Sequence, residues 1–170
     1  MMASASPATE PLTVATPRLR LRLMSDAEVA PSLMRMADGR LLGRAPDTRP
    51  DWVRLEVLTA DGAGIGEVGL LFQEDAPTEI GYRIAAEYRR QGFATEALRV
   101  LIAIARDAFA ESELAAEAAI DNIASHRTLL RLGFAEECSA GQRWSNRRAA
   151  YIEYRRYRLA SLLGAPGLPI

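Results

Sequence analysis

A single α/β (α+β) domain, in which short strands frame a few helices, is the fold class this sequence predicts, and three observations carry it. Strand patterns of five to eight residues recur at 19–23, 52–59, 65–72 and 80–84, the first and last of them strictly alternating with the period of two of a half-buried strand. Immediately afterwards the period changes. Ala94, Ala97, Leu98, Leu101, Ala105 and Ala108 recur at three- and four-residue steps, with Thr95, Glu96, Arg99, Arg106 and Asp107 mostly opposite, so one helix face can lie on a sheet. A second series of strand, helix and two strands then fills 114–159.

In chain order, residues 1–15 are rich in Ala, Ser, Pro and Thr without a basic start or an apolar run, and are expected to be a disordered tail. Leu19-Arg20-Leu21-Arg22-Leu23 makes the first strand. Ser25 and Glu28 have capping-box spacing, but Pro31 falls in the next turn, so a helix is kinked or restarts there and runs over 31–38. Gly43, Pro46 and Pro50 make 40–51 a loop. Strands 52–59 and 65–72 flank the glycine-bearing turn 60–64 and lead into 80–84, three antiparallel strands in a row. The apolar run 114–120 reads as a strand ended by Asp121-Asn122. Helix 124–132 closes on Leu132-Gly133-Phe134, where glycine suits the left-handed position after the helix and Phe134 the accompanying apolar contact. Strands 134–138 and 149–159, joined through Ser145 and Asn146, end a domain of residues 16–160, and 161–170 is read as a loose tail.

Composition narrows the function. A chain of 170 residues, 49% of them hydrophobic, can bury roughly 70% of its unfolded surface as one domain. The net charge of −1 argues against nucleic-acid partners, which select for a basic excess. No lysine occurs, so every basic side chain except His126 is arginine. Cys138, the single cysteine, excludes an internal disulfide and cannot alone form a metal site; it reads as a small apolar residue. No apolar run reaches the length of a membrane span, and a soluble, cytoplasmic protein is expected.

Between strand 80–84 and the long helix stands Arg89-Arg90-Gln91-Gly92-Phe93-Ala94. Gly92 lacks a Cβ, Ala94 has a minimal one, and the first N–H groups of a helix have no intrahelical partner, so an anion can approach the backbone closely. The turn could also be an ordinary connection with two solvated arginines. It has neither the Gly-Lys-Ser/Thr of a P-loop nor the three glycines of a dinucleotide fingerprint. What it resembles is the Arg/Gln-x-x-Gly-x-Gly/Ala loop of the GNAT superfamily of acyl-CoA N-acyltransferases, and the wording through Thr95-Glu96-Ala97-Leu98 is most similar to the RimJ/RimL-type branch. Asn122-x-x-Ser125 followed by Leu132-Gly133-Phe134 is a second matching motif, in order and separated by a strand pattern.

The resemblance implies a mixed, mostly antiparallel sheet of six to seven strands with helices on both faces. It also implies an acetyl-CoA-dependent N-acetyltransferase that moves an acetyl group directly to a primary amine of a peptide terminus or small molecule, with no metal, as a monomer or homodimer. In that reading the N–H groups of Gln91, Gly92, Phe93, Ala94 and Thr95 hold the pyrophosphate, Arg89 and Arg90 add charge, and Thr95 can add its hydroxyl. The pantetheine arm lies between strands 80–84 and 114–120, against backbone groups of Tyr82, Arg83 and Ile84, one of whose N–H groups polarises the thioester carbonyl. Asn122 touches the pantetheine, caps the second helix, or both.

Glu79 is the candidate base by resemblance, and a plain surface glutamate is its alternative; Glu67 and Glu153 are weaker candidates. His126, a helix histidine lacking an identifiable partner, is read as solvated. The position four residues before Gly133, where the superfamily commonly places a proton-donating tyrosine, holds Leu129. Ser125 is then either a donor to the departing thiolate or a helix cap, and Tyr82, Tyr88 and Tyr151 stay open. The competing function is a GNAT-like module that binds acyl-CoA or a partner protein with little or no turnover. It follows from Leu129 and from a front segment shorter than the RimJ/RimL-type usually has.

Overall fold

In the computed structural model, which describes residues 12–25, 52–145 and 149–160, the period-two stretches are strands of one sheet. They are β1 (Thr13–Ala15), β2 (Leu19–Leu23), β3 (Trp52–Thr59), β4 (Gly64–Leu71), β5 (Thr78–Ile84), β6 (Leu114–Ala119), β7 (Ala135–Ser145) and β8 (Ala150–Leu159). The order across the sheet is β1-β2-β3-β4-β5-β6-β8-β7, antiparallel everywhere except between β5 and β6. Helix α1 (Phe93–Phe109) connects β5 to β6, and α2 (Ile123–Arg131) follows β6. This is the mixed, mostly antiparallel α/β arrangement expected, with eight strands among the described residues where six to seven were counted.

The additional strand is β1, inside the stretch read as a disordered tail. Thr13, Val14 and Ala15 pair with Arg22, Leu21 and Arg20, so the β2 edge supplies hydrogen bonds that composition cannot reveal. β7 likewise runs to Ser145 instead of ending at 138, following β8 through register shifts at Glu136/Cys138 and Ser139/Gln142. The expected helix 31–38, the loop 40–51 and the tail 161–170 lie outside the described residues, as do Asn146 and the side chain of Cys138.

Alternation in β2 buries Leu19 and Leu21 against α1, whose Ala97, Leu98, Leu101 and Ala105 are fully covered. Ala108, expected on the same face, is exposed, and borders a shallow groove with Val14, Val100 and Ile104 instead. The core continues through Leu129 of α2, Phe134 and Tyr157, so both described helices share one apolar cluster. Gly133 takes φ 91° after α2, and the N–H of Phe134 donates to the Leu129 carbonyl at 3.1 Å, the helix ending read from the sequence.

Gly66 sets how closely β4 approaches β5. A Cβ there would lie 2.1 Å from the Arg83 carbonyl oxygen and 2.9 Å from Ile84 Cδ1, and backbone cannot yield that far without loosening the pair. Gly66→Ala is therefore expected to destabilise the protein by about 1–3 kcal/mol, read as a lower urea midpoint at unchanged slope.

Candidate active site

β5 and β6 are neighbours for only two residues. Thr78 pairs with Leu114 and Glu79 with Ala115, after which no ladder pair joins them. β5 remains bound to β4 as far as Ile84, and β6 to β8 as far as Ala119. The two strands thus part from a common root, leaving the edge of Ile80–Ile84 facing the edge of Ala116–Ala119 across a gap. A backbone edge buried without partners is costly, so such a gap suits an extended ligand carrying its own amides.

At its open end β5 turns into α1. The Ala85 N–H donates to the Ile65 carbonyl at 2.8 Å, residues Ala86–Tyr88 make one 3₁₀ turn, and Arg89 Nε donates back to the Ile84 carbonyl at 2.9 Å. Arg90 has φ 61° and Gly92 φ 85°, so the chain enters the left-handed region twice in three residues. For arginine that conformation costs about 1 kcal/mol or more, the kind of local strain that collects at functional sites. The first helical bond runs from the Glu96 N–H to the Gly92 carbonyl at 3.1 Å. Among the described residues no side chain caps the helix start, and the N–H groups of Phe93, Ala94 and Thr95 have no helical partner. Gln91 Nε2 is turned away, donating to the Glu87 carbonyl at 3.2 Å, and Thr95 is buried.

One residue at this loop was not legible in the sequence. Arg18, just before β2, donates through Nη1 to the Gln91 carbonyl at 2.9 Å and through Nε to Glu96 Oε2 at 2.7 Å, while its guanidinium lies 4.7 Å from the centre of the Phe93 ring. Thr16 Oγ1 donates to Glu96 Oε1 at 2.6 Å. Burial pushes the Glu96 carboxyl up, but the bonds from Thr16 and Arg18 outweigh it and hold the group below its ordinary range. An acid in the first turn of a helix is the only local signal. Its partners lie some eighty positions away in sequence.

Asn122 is the cap of α2: its Oδ1 accepts the Ser125 N–H at 3.2 Å. Ser125 is therefore not the cap, and its carbonyl accepts the Tyr82 hydroxyl at 3.5 Å. This contact fastens the start of α2 to β5 across the gap. Burial raises the Tyr82 phenol above its ordinary value, against weaker opposing bonds to Ser125 and Thr128, so it stays protonated at neutral pH. Leu129 is fully buried. His126, read as solvated, is instead bonded on both ring nitrogens, to the Tyr157 hydroxyl at 2.6 Å and the Ile120 carbonyl at 3.1 Å. The correction comes from β8, which brings Tyr157 under α2 although it lies far away in sequence.

Glu79 stands at the root of the gap, half-buried, with no ion pair among the described residues. Glu67 is a hub between Arg54 at 3.3 Å and Arg83 at 3.1 Å, so its carboxylate is already engaged and Arg83 offers the gap only its backbone. Glu153 is on β8, beyond β6 from the gap. Tyr88 packs on Phe93, and Tyr151 is an exposed partner of Trp144. Among the described residues, no three His, Cys, Asp or Glu side chains gather as metal ligands would, and no helix is long and apolar enough to cross a membrane.

Residues 11–135 match the family model of the acetyltransferase (GNAT) domain. A stretch of 75 residues, 43% of this chain, is 39% identical to the uncharacterized N-acetyltransferase YoaA of Bacillus subtilis (strain 168), and spans 42% of that relative's length. In fold the chain is similar to the ribosomal-protein-S5-alanine acetyltransferase of Vibrio fischeri, at 17% identity, with 93% of this chain and 100% of that one covered and a TM-score of 0.69. It is also similar to the microcin C7 self-immunity acetyltransferase MccE, solved with acetyl-CoA and AMP, at 21% identity, 65% and 61% coverage and a TM-score of 0.57. With the family model covering well over half its length, and with the parted strands and the uncapped helix start in order, the chain belongs to the GNAT acetyltransferase family.

Proposed function

We propose that this protein is an acetyl-CoA-dependent N-acetyltransferase of RimJ/RimL-like type, acting on a primary amine of a peptide terminus or a small molecule by direct transfer in a ternary complex. The observation that carries the reading is the gap between β5 and β6 opening onto the bare start of α1. An extended arm with a diphosphate at one end fits both parts at once, and the likeness to MccE, solved with acetyl-CoA, supports the same donor.

Backbone N–H groups from Gln91 to Thr95 bind the diphosphate, with charge from Arg90 and from the guanidinium of Arg89 beyond its bonded Nε. The edge from Ile80 to Ile84 pairs with the pantetheine amides, and a β5 N–H near Tyr82 or Arg83 polarises the thioester carbonyl. Glu79 accepts the proton of the attacking amine, directly or through water. As the new C–N bond forms, the C–S bond breaks and the electron pair leaves with sulfur, stabilised by the Ser125 hydroxyl at the start of α2 or by the protonated Tyr82 that reaches it from β5.

Gly92→Asp should abolish acetyl-CoA binding in calorimetry, because φ 85° strains any side chain there and a carboxylate whose Cβ meets Arg18 Nη2 at 3.4 Å brings negative charge and competition for that cation into the loop. Unchanged affinity in the folded variant would overturn the assignment. Glu79→Gln should slow turnover about 10²- to 10⁴-fold with acetyl-CoA affinity nearly intact, once a screen of peptides and small amines for CoA release has identified an acceptor. Ser125→Ala should cost only about tenfold in the chemical step, since a thiol with a reference pKa of about 8.5 can leave unprotonated. A loss of 10³-fold or more at an unchanged melting temperature would make Ser125 the principal acid.

A further inference from the structure

The Arg18 cluster is absorbed by neither the core nor the roles above, yet it meets the loop at every level. Both oxygens of Glu96 are taken: Oε1 by Thr16 Oγ1 at 2.6 Å and the Arg18 N–H at 3.3 Å, Oε2 by Arg18 Nε at 2.7 Å and Nη2 at 2.6 Å. A carboxylate in the first turn of a helix is drawn to the positive end of the helix dipole, where it competes with any anionic ligand. Here it is held by Thr16 and Arg18 instead. The remaining Nη1 holds the Gln91 carbonyl at 2.9 Å. In a planar trans peptide the C=O and the following N–H point in opposite directions, so fixing that carbonyl toward Arg18 aims the Gly92 N–H away from it, to the ligand side. The Arg18 side chain is 48% exposed, and a Cβ on Gly92 would come within 3.4 Å of its Nη2, so the cation borders the anion site without being buried.

We propose that Arg18 is a positioning residue for the donor site: by capturing Glu96 and the Gln91 carbonyl, it holds the loop N–H groups open toward the diphosphate and cancels the Glu96 carboxylate beside them. This rests on the reading of the loop as the diphosphate site. The role is electrostatic as well as geometric, because Nε and Nη2 converge on one carboxylate oxygen while the Arg18 N–H holds the other, which fixes orientation and charge together. The two partners are consequently not equivalent. Removing the arginine leaves a negative charge at the ligand's door, whereas removing the charge of Glu96 leaves a cation there.

Calorimetric titration with acetyl-CoA, with a thermal melt on each variant, separates these effects without knowledge of the acceptor. Arg18→Ala is expected to weaken binding at least tenfold. Glu96→Gln is expected to bind as tightly as the wild type or more tightly, even with a lower melting temperature, and the double variant to recover at least threefold of the loss in Arg18→Ala. A purely structural clamp predicts the reverse, with Glu96→Gln weakened about as much as Arg18→Ala and no recovery in the double variant; that pattern, or unchanged affinity in Arg18→Ala, overturns the proposal. If Arg18→Ala does not fold, Glu96→Gln decides alone, a loss of tenfold or more overturning the proposal and equal or tighter binding supporting it. Wild-type protein that binds acetyl-CoA together with indifferent variants refutes only the role of Arg18, whereas wild-type protein that fails to bind removes the donor-site reading as well.

Discussion

The architecture depends on an incomplete hydrogen-bond ladder. β5 and β6 share two paired positions at their root and then separate, and unpaired backbone in a sheet interior is tolerable only if something else satisfies it. Each is paired on its other edge, β5 with β4 from Leu71 to Gly66 and β6 with β8 along its whole length, so the gap lies inside the sheet and not at its rim. The close approach at Gly66 and the row of small alanines in β6 are part of the same arrangement, tight pairing outside the gap. α1, lying across β2, β4 and β5, then fixes where the loop meets the opening.

Much of this was legible because it depends on local chemistry. Strands 19–23 and 52–59 match residue for residue, since alternation of apolar and polar side chains is itself the cause of a half-buried strand. Gly133 was readable because it stands where φ must be positive, and Gly92 because a missing Cβ beside a helix start lets an anion approach. Asn122 as a cap follows from its own side-chain chemistry, and the outcome removes the competing cap role from Ser125.

What escaped the sequence lies across long separations. β1 exists because the edge of β2 accepts it, not because Thr13–Ala15 carries a strong strand pattern. The bonds of His126 to Tyr157, and of Tyr157 to Glu136, join three elements whose meeting is decided by the crossover from β6 to β8. Tyr82, open beside Tyr88 and Tyr151 on sequence alone, was singled out only when the fold brought its hydroxyl to Ser125. Arg18 is the clearest case, since its counterpart is a helix that begins some seventy-five residues later.

The cations around the loop, Arg18, Arg89 and Arg90, are guanidiniums, as is every side-chain cation in the salt bridges of the described residues. Guanidinium keeps its proton at any physiological pH, so it supplies charge without supplying a nucleophile. A lysine at the same positions would provide both. With no lysine anywhere in its sequence, the protein presents no ε-amine to any activated acyl group.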